Sequence, residues 1–429
     1  MAHGPTDSRI LLAAVYEGGA QPTSIGTAAS HLLQAGFKPI CVDTFVDGLP
    51  PFDLISEWDL LAISVPLFQS VAPAVELAAF ARKVNPAARI VMFGQHANIH
   101  ADRLLTTHCD EVIRGDPEAG LLMLARSAAD GVDAAALGVC RSGRLVGPYV
   151  NRNGLLPPAR HLLPALSRYR YPELDRLWCG RPLPIVGNVE TARGCHHICS
   201  YCSVFAATGR KVTLIPPEVV IEDIRQVVSL GATHIWFTDA EFLNSKRHGL
   251  GIVRSMKRDF PQLTFDITTR ADHILEAGDA IAEMRNLGCE FVTTALEFPS
   301  QRVLDAINKE LTVDQIERTV EYCQRIGLRL NPTFIAFNPW IDAEDLVRFR
   351  EWIDRVGLTD SVSPLQYETR LYLYKGSPLL QNPEVQRLEL TEREFHYDWK
   401  HPDPCVDRLF EQSVTPLEPG KFKRCCIKC

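Results

Sequence analysis

The chain has 429 residues, 46% of them hydrophobic, which is ample for two or three packed domains. Its formal net charge is −7 and no run of lysine and arginine stands out, which argues against a broad phosphate-binding surface and hence against a nucleic-acid partner. Thirteen cysteines, an odd number, follow a start (Met1-Ala2-His3-Gly4-Pro5) without a signal peptide; with apolar runs too short for a membrane span, they point to a reducing cytoplasm rather than a disulfide framework.

The first 140 or so residues alternate short apolar runs with segments of helical length. Ile10 to Val15, Pro39 to Val42, Leu60 to Val65 and Ile90 to Phe93 read as buried parallel strands, separated by helical stretches such as Thr27 to Ala35 and Val75 to Lys83. This pattern predicts a doubly wound α/β domain over residues 1–140. A linker follows over 141–183, where Gly154, Pro157, Pro158, Pro164, Pro172 and Pro182 interrupt regular structure.

Directly after the strand-like Ile185 to Val189 and the Arg193-Gly194 turn comes Cys195-His-His-Ile-Cys199-Ser-Tyr-Cys202. Three thiolates can hold a 4Fe-4S cluster and leave its fourth iron open to an outside molecule, unlike the four-cysteine sets of electron-transfer centres or the closed tetrahedra of structural zinc. His196 and His197 crowd the same turn and offer no separated fourth ligand, so a zinc loop is disfavoured. A CxxxCxxC loop with an aromatic residue before the last cysteine resembles the radical S-adenosylmethionine (SAM) superfamily. That resemblance implies a 4Fe-4S cluster, SAM chelated at the open iron, and an electron donor such as flavodoxin or ferredoxin.

Beyond the loop the strand-helix pattern resumes. Ile235 to Thr238, Thr264 to Thr268, Phe291 to Ala295, Pro332 to Ala336 and Leu371 to Tyr374 are candidate strands of a partial α/β barrel over 184–379, the architecture that the resemblance implies, with a C-terminal extension over 380–429. Pro217 suits a first helical position, Val220, Ile224, Val227 and Val228 form an apolar stripe, and Gly231 suits the C-terminal cap. Thr312 and Gln315 form a candidate capping box, and Cys289 and Cys323 are assigned to packing.

In radical SAM enzymes the strand ends hold SAM, and the resemblance carries these roles over residue by residue. Asp239 and Glu241 would accept hydrogen bonds from the methionyl ammonium, Arg270 would pair with the carboxylate, Glu297 would meet the ribose or sulfonium, and Tyr201 would lean toward adenine. The domain ahead of the barrel resembles the cobalamin-binding domain of many such enzymes. The Asp-x-His-x-x-Gly run that supplies a lower cobalt ligand is absent after the first strand, where Tyr16-Glu17-Gly18-Gly19-Ala20 stands, so the sequence predicts that this domain carries no cobalamin.

The chain ends Arg424-Cys425-Cys426-Ile427-Lys428-Cys429. Thiolates flanked by Lys423, Arg424 and Lys428 are good soft-metal ligands, and three of them suit a second cluster, zinc, or trivalent arsenic. The ending resembles that of radical SAM enzymes of arsinothricin biosynthesis. It implies arsenite held by Cys425, Cys426 and Cys429, and transfer of the 3-amino-3-carboxypropyl arm of SAM to arsenic. Two alternatives stand beside it: a cobalamin-type radical methyltransferase, and a metalloid-sensing iron-sulfur protein.

Overall fold

The computed structural model describes residues 9–126, 133–151, 154–171, 173–178 and 181–413. The chain divides into two units, each with its own core: residues 1–171 with 185–189 and 213–233 form the first, and 172–184, 190–212 and 234–429 the second.

The first unit is built on a six-stranded sheet of order β2-β1-β3-β4-β5-β6, comprising β1 (Ile10–Ala14), β2 (Ile40–Asp43), β3 (Leu60–Ser64), β4 (Arg89–Phe93), β5 (Glu111–Ile113) and β6 (Val139–Cys140). All pairs are parallel except β5 with β6. Every residue of β1 and β3 is buried, which is why these segments read as continuous apolar runs without alternation. The helices Thr23–Gln34 and Val71–Val84 begin about one turn before the expected helical stretches and end within one residue of them. Two strands escaped the sequence reading: β5 and β6 are only three and two residues long, too short for a periodicity to register.

Because β2 lies on one side of β1 and β3 on the other, the sheet has a topological switch point at the carboxyl end of β1, where open α/β sheets bind ligands. There the Glu17 carboxylate accepts a hydrogen bond from Ser24 Oγ and one from Ser64 Oγ at 3.0 Å, and the two hydroxyls lie 2.6 Å apart. Burial pushes the Glu17 carboxyl from 4.5 up to about 7, the serine bonds offsetting it only in part.

The segment over 141–183 is less irregular than its prolines suggest. It holds two 3₁₀ turns, Arg160–Leu162 and Leu166–Arg168, and the short helix Glu173–Leu177. Arg160 is 1% exposed and ties distant parts of the first unit together. It donates to both carboxylate oxygens of Asp223 at 2.7 and 2.8 Å, to Gln21 Oε1 at 2.7 Å and to the carbonyl of Asn188, which lies in β7 (Val186–Val189). Asp223 sits on the helix Pro217–Ser229, where Pro217 occupies the first turn and Val220, Ile224 and Val227 are buried as expected, Val228 only partly. Gly231 follows with φ +95° and its amide on Val228, the left-handed cap that the sequence predicts.

In sequence, β8 (Ala192–Gly194) of the second unit precedes the cysteine loop, and β9 (Val212–Leu214), whose last two residues belong to the first unit, follows it. Four strands then pair in parallel in sequence order: β10 (His234–Phe237), β11 (Thr264–Thr268), β12 (Cys289–Glu297) and β13 (Arg329–Phe334). Thr312 and Gln315 form the predicted reciprocal box at the start of the helix Val313–Arg325, and Cys289 and Cys323 are fully buried.

Leu371 to Tyr374 does not join these strands. It gives a two-residue β14 (Leu373–Tyr374) in a separate antiparallel sheet with β15 (Leu390–Glu392) and β16 (His396–Trp399), in the order β14-β16-β15. A helix, Ala343–Arg355, and a 3₁₀ turn, Pro364–Tyr367, precede it, but the parallel pairing stops at a single bridge between Phe337 and Arg370, and the chain then turns to pair antiparallel with β16.

Two outcomes follow. Arg160→Met strands Asp223 as a buried, unpaired carboxylate and is expected to cost about 3–5 kcal/mol by denaturant unfolding, much of it recovered in the double variant with Asp223→Leu. The folded chain holds a Glu17 proton that the unfolded chain releases between about pH 4.5 and 7, so stability falls as pH climbs through that window and is level above it. Glu17→Gln removes this contribution, and urea midpoints compared at pH 5 and 7.5 measure the difference.

Candidate radical SAM site

The cysteine loop leaves β8 through Gly194, whose φ of +88° brings its Cα against the backbone of Lys211; a Cβ there would meet the Lys211 carbonyl oxygen at 2.1 Å. Six bonds then fix the loop. Asn244 Nδ2 donates to the Gly194 carbonyl at 3.0 Å, Arg210 Nε to that of His196 at 3.1 Å and Asn308 Nδ2 to that of Ile198 at 3.1 Å. The Ser200 amide donates to Ile307 O and the Leu379 amide to Ser200 O, each at 2.9 Å, and the Tyr201 hydroxyl donates to Glu297.

Within this frame Cys199 is buried, and Cys195 and Cys202 are half-buried. Burial pushes the Cys202 thiol up to about 12, against the pull of the Phe205 and Val204 amides at the start of the helix Ser203–Thr208, and it raises Cys195 as well. Arg270 Nη1 lies 3.4 Å from Cys199 Sγ. Each thiolate of a cubane cluster binds a different iron, so its ligands must be spread over a loop rather than converge on one ion. Among the described residues no three His, Cys, Asp or Glu side chains converge on a single metal position.

The residues expected to hold SAM stand at the carboxyl ends of β10, β11 and β12, and most of their polar atoms are already engaged. Asp239, 1% exposed, accepts from the Thr191 hydroxyl at 2.7 Å and the Thr191 amide at 3.1 Å, fixing the residue just before β8. Glu241 accepts from the Leu243 and Arg270 amides, each at 2.9 Å, and from the Thr269 hydroxyl, and lies 3.2 Å from His273 Nδ1. Burial alone would raise Glu241, but the His273 contact and these donors bring it below its ordinary value. Burial likewise acts to lower His273, and Glu241 and Asp272 raise it on balance. His197, whose Nε2 is 3.1 Å from that of His273, is driven down to about 4 by burial and then by Arg270 and His273. Arg270 binds Asp272 through Nε and Nη2 and donates to the carbonyls of Lys309 at 2.7 Å and Glu310 at 3.2 Å.

Glu297 differs from these. A register shift between Ala295 and Glu297 ends β12, and Glu297 adopts φ +62°, turning its side chain toward the cysteine loop. Its Oε1 accepts from Tyr201 and, at 2.5 Å, from Lys309 Nζ, whereas its Oε2 accepts from none of the described residues. Lys309, 3% exposed, was missed by the sequence reading. It sits in a turn after a helix, and the only signal for it was a lysine flanked by Asn308 and Glu310, a polar run that ordinarily reads as exposed. Cys425, Cys426 and Cys429 lie outside the described residues.

Residues 189–353 match the Radical SAM superfamily. The chain carries a radical SAM domain. Such a domain implies a 4Fe-4S cluster and SAM, as the three-cysteine loop does independently. Similar proteins include the hopanoid C-3 methylase of Methylococcus capsulatus, 24% identical over 77% of this chain and 64% of that protein, and an uncharacterized methyltransferase of Pyrococcus horikoshii, 26% identical over 70% and 66%. The chain therefore spans just under two thirds of the length of these relatives. Among solved structures, the cobalamin-dependent SAM radical enzyme OxsB aligns over 95% of this chain and 66% of its own with a TM-score of 0.73 at 15% identity. The radical SAM methyltransferase TsrM of Kitasatospora setae aligns over 82% and 70% with a TM-score of 0.63 at 18% identity. These likenesses establish the fold of an N-terminal doubly wound domain together with a radical SAM domain. No helix among the described residues is long and apolar enough to cross a membrane.

Asp239→Asn replaces one of the two acceptors facing Thr191 with a donor. It is expected to cost about 1–3 kcal/mol in denaturant unfolding of the iron-free protein, because a buried amide or hydroxyl is left unpaired.

Proposed function

We propose that this chain is a radical SAM alkyl transferase of the methyltransferase kind, with Cys195, Cys199 and Cys202 ligating a 4Fe-4S cluster, SAM at the carboxyl ends of β10 to β12, and a corrinoid on the doubly wound unit. The observation that carries this reading is the presence in one chain of a three-cysteine loop and a doubly wound unit with polar side chains, Glu17, Ser24 and Ser64, at its switch point. Support comes from the relatives: proteins named as methyltransferases match across 70% and 77% of the chain, and the cobalamin-dependent enzyme OxsB shares its fold across 95%. This reading replaces the expectation of a corrinoid-free domain. Glu17, Ser24 and Ser64 suit the amide periphery of a corrinoid, and the Tyr16-Glu17-Gly18-Gly19-Ala20 turn offers no imidazole to its cobalt.

When bound, the cluster supplies the electron that cleaves SAM and the corrinoid supplies a methyl carrier. The chain's own residues bind and orient. Oε2 of Glu297 is free to accept from a SAM hydroxyl or ammonium. Asp239 and Glu241 hold the strand ends in register with the loop, and Arg270 sets a cation against Cys199. Electrons come from a flavodoxin- or ferredoxin-like donor.

A second reading is favoured by the tail sequence alone. Cys425, Cys426 and Cys429 suit trivalent arsenic, and transfer of the 3-amino-3-carboxypropyl arm of SAM to arsenite would give the carbon-arsenic bond of hydroxyarsinothricin.

Anaerobic reconstitution with iron and sulfide, followed by hydroxocobalamin, SAM and a low-potential reductant such as dithionite, separates the two. Methyl transfer predicts that cobalamin absorbance stays with the protein through gel filtration and that S-adenosylhomocysteine accumulates as methylcobalamin forms. Arsenic alkylation predicts 5′-methylthioadenosine and an organoarsenical when arsenite is added, lost on truncation before Arg424. Absence of retained cobalamin together with that arsenic product would sink the methyltransferase reading. In either case, alanine at Cys195, Cys199 or Cys202 is expected to leave a folded chain without its cluster, measured as iron per chain.

A further inference from the structure

Three non-glycine residues among those described have positive φ: Glu297 at +62°, Asn308 at +53° and Glu310 at +53°. All three meet at one side chain. Asn308 and Glu310 flank Lys309, and Glu297 is its ion-pair partner at 2.5 Å. Left-handed backbone at a residue with a Cβ costs on the order of 1–3 kcal/mol, so three such residues persist only where the surroundings over-determine them. Here the surroundings are the cysteine loop itself. Asn308 donates to Ile198 O, Arg270 holds the carbonyls of Lys309 and Glu310, and Lys309 Nζ lies 3.1 Å from the Tyr201 hydroxyl and 5.7 Å from the centre of its ring. The ammonium thus reaches, from beneath, the residue that immediately precedes Cys202.

We propose that Lys309 is the positioning residue of the SAM site: by occupying Oε1 of Glu297 and holding Tyr201, it aims Oε2 of Glu297 at the cofactor and sets the alignment of SAM against the cluster. Burial of a lysine is costly unless it is paired, and the charge of Glu297 outweighs that penalty, keeping Lys309 protonated. No other described lysine or arginine donates to Glu297. Arg270, the cation beside Cys199, is spent on Asp272, two carbonyls and that thiol. With Lys309 removed, Glu297 has only the Tyr201 hydroxyl to orient it, and rotation of its carboxylate would exchange the two oxygens.

This inference rests on the reading that the three cysteines hold the cluster and that SAM binds beside it. The test uses the full-length protein reconstituted anaerobically, as wild type, Lys309→Met and the double variant Glu297→Gln/Lys309→Met. Iron per chain, the SAM dissociation constant by calorimetry, and the change in the EPR spectrum of the reduced cluster on adding SAM are compared. Lys309→Met is expected to keep its iron, to bind SAM at least about tenfold more weakly, and to lose the SAM-induced EPR change at concentrations that saturate the wild type. The double variant, which removes both buried charges, is expected to fold with full iron and still fail to recover SAM affinity. It serves as the deciding protein if Lys309→Met does not fold. Wild-type SAM affinity with an unaltered EPR response in either variant overturns the role of Lys309 while leaving the site intact. A wild-type protein that holds no cluster, or whose cluster does not respond to SAM, overturns the site reading and the proposal with it.

Discussion

A buried lysine on a buried glutamate, under a loop that must present three thiols, is the interaction on which the radical SAM site depends. A loop with three cysteines in eight residues has no regular structure to hold its shape, and thiols placed at random would not present an open iron in one direction. The Glu297–Lys309 pair supplies a fixed base. Tyr201 is bonded to both of its members, and the residues on either side of Lys309 bond the loop or the arginine beside Cys199. Low local polarity makes these contacts strong and makes a missing partner costly, so the network holds together as a unit.

The strand ends gain a different meaning from this arrangement. Asp239, Glu241 and Arg270 stand at the carboxyl ends expected for cofactor contacts, and their polar atoms bind other parts of the protein: Asp239 fixes Thr191, Glu241 fixes the start of the segment after β11, and Arg270 bridges Asp272 to the Lys309 turn. A site that must direct a reactive carbon radical needs alignment more than contact number, since a displacement of about 1 Å can cost about a hundredfold in rate. Rigid buried carboxylates are one way to provide that alignment.

The first unit shows the same economy at its switch point and its hub. Glu17 is held by two serines instead of a cation, which is why burial wins and its carboxyl titrates near neutrality. Asp223, by contrast, has Arg160 on both oxygens. The two acids differ in partner, hydroxyls for one and a guanidinium for the other, and at Glu17 the hydroxyls leave burial the larger influence.

The cysteine spacing, the strand runs β1 to β4 and β10 to β13, the Pro217 helix start and the Thr312–Gln315 box were all determined by the sequence alone, because each depends on neighbours a few residues away or on strict burial of a short run. The cluster loop and the α/β class were legible for the same reason. What only the tertiary structure decided depends on residues far apart in the chain: the joining of Gln21, Arg160, Asn188 and Asp223, the diversion of Leu373–Tyr374 into its own antiparallel sheet, and the engagement of Asp239 by Thr191. Lys309 is the clearest case. A lysine between Asn308 and Glu310 reads as solvated surface, and only the fold, by setting the bulged end of β12 opposite Tyr201, makes it a buried cation with a carboxylate to satisfy.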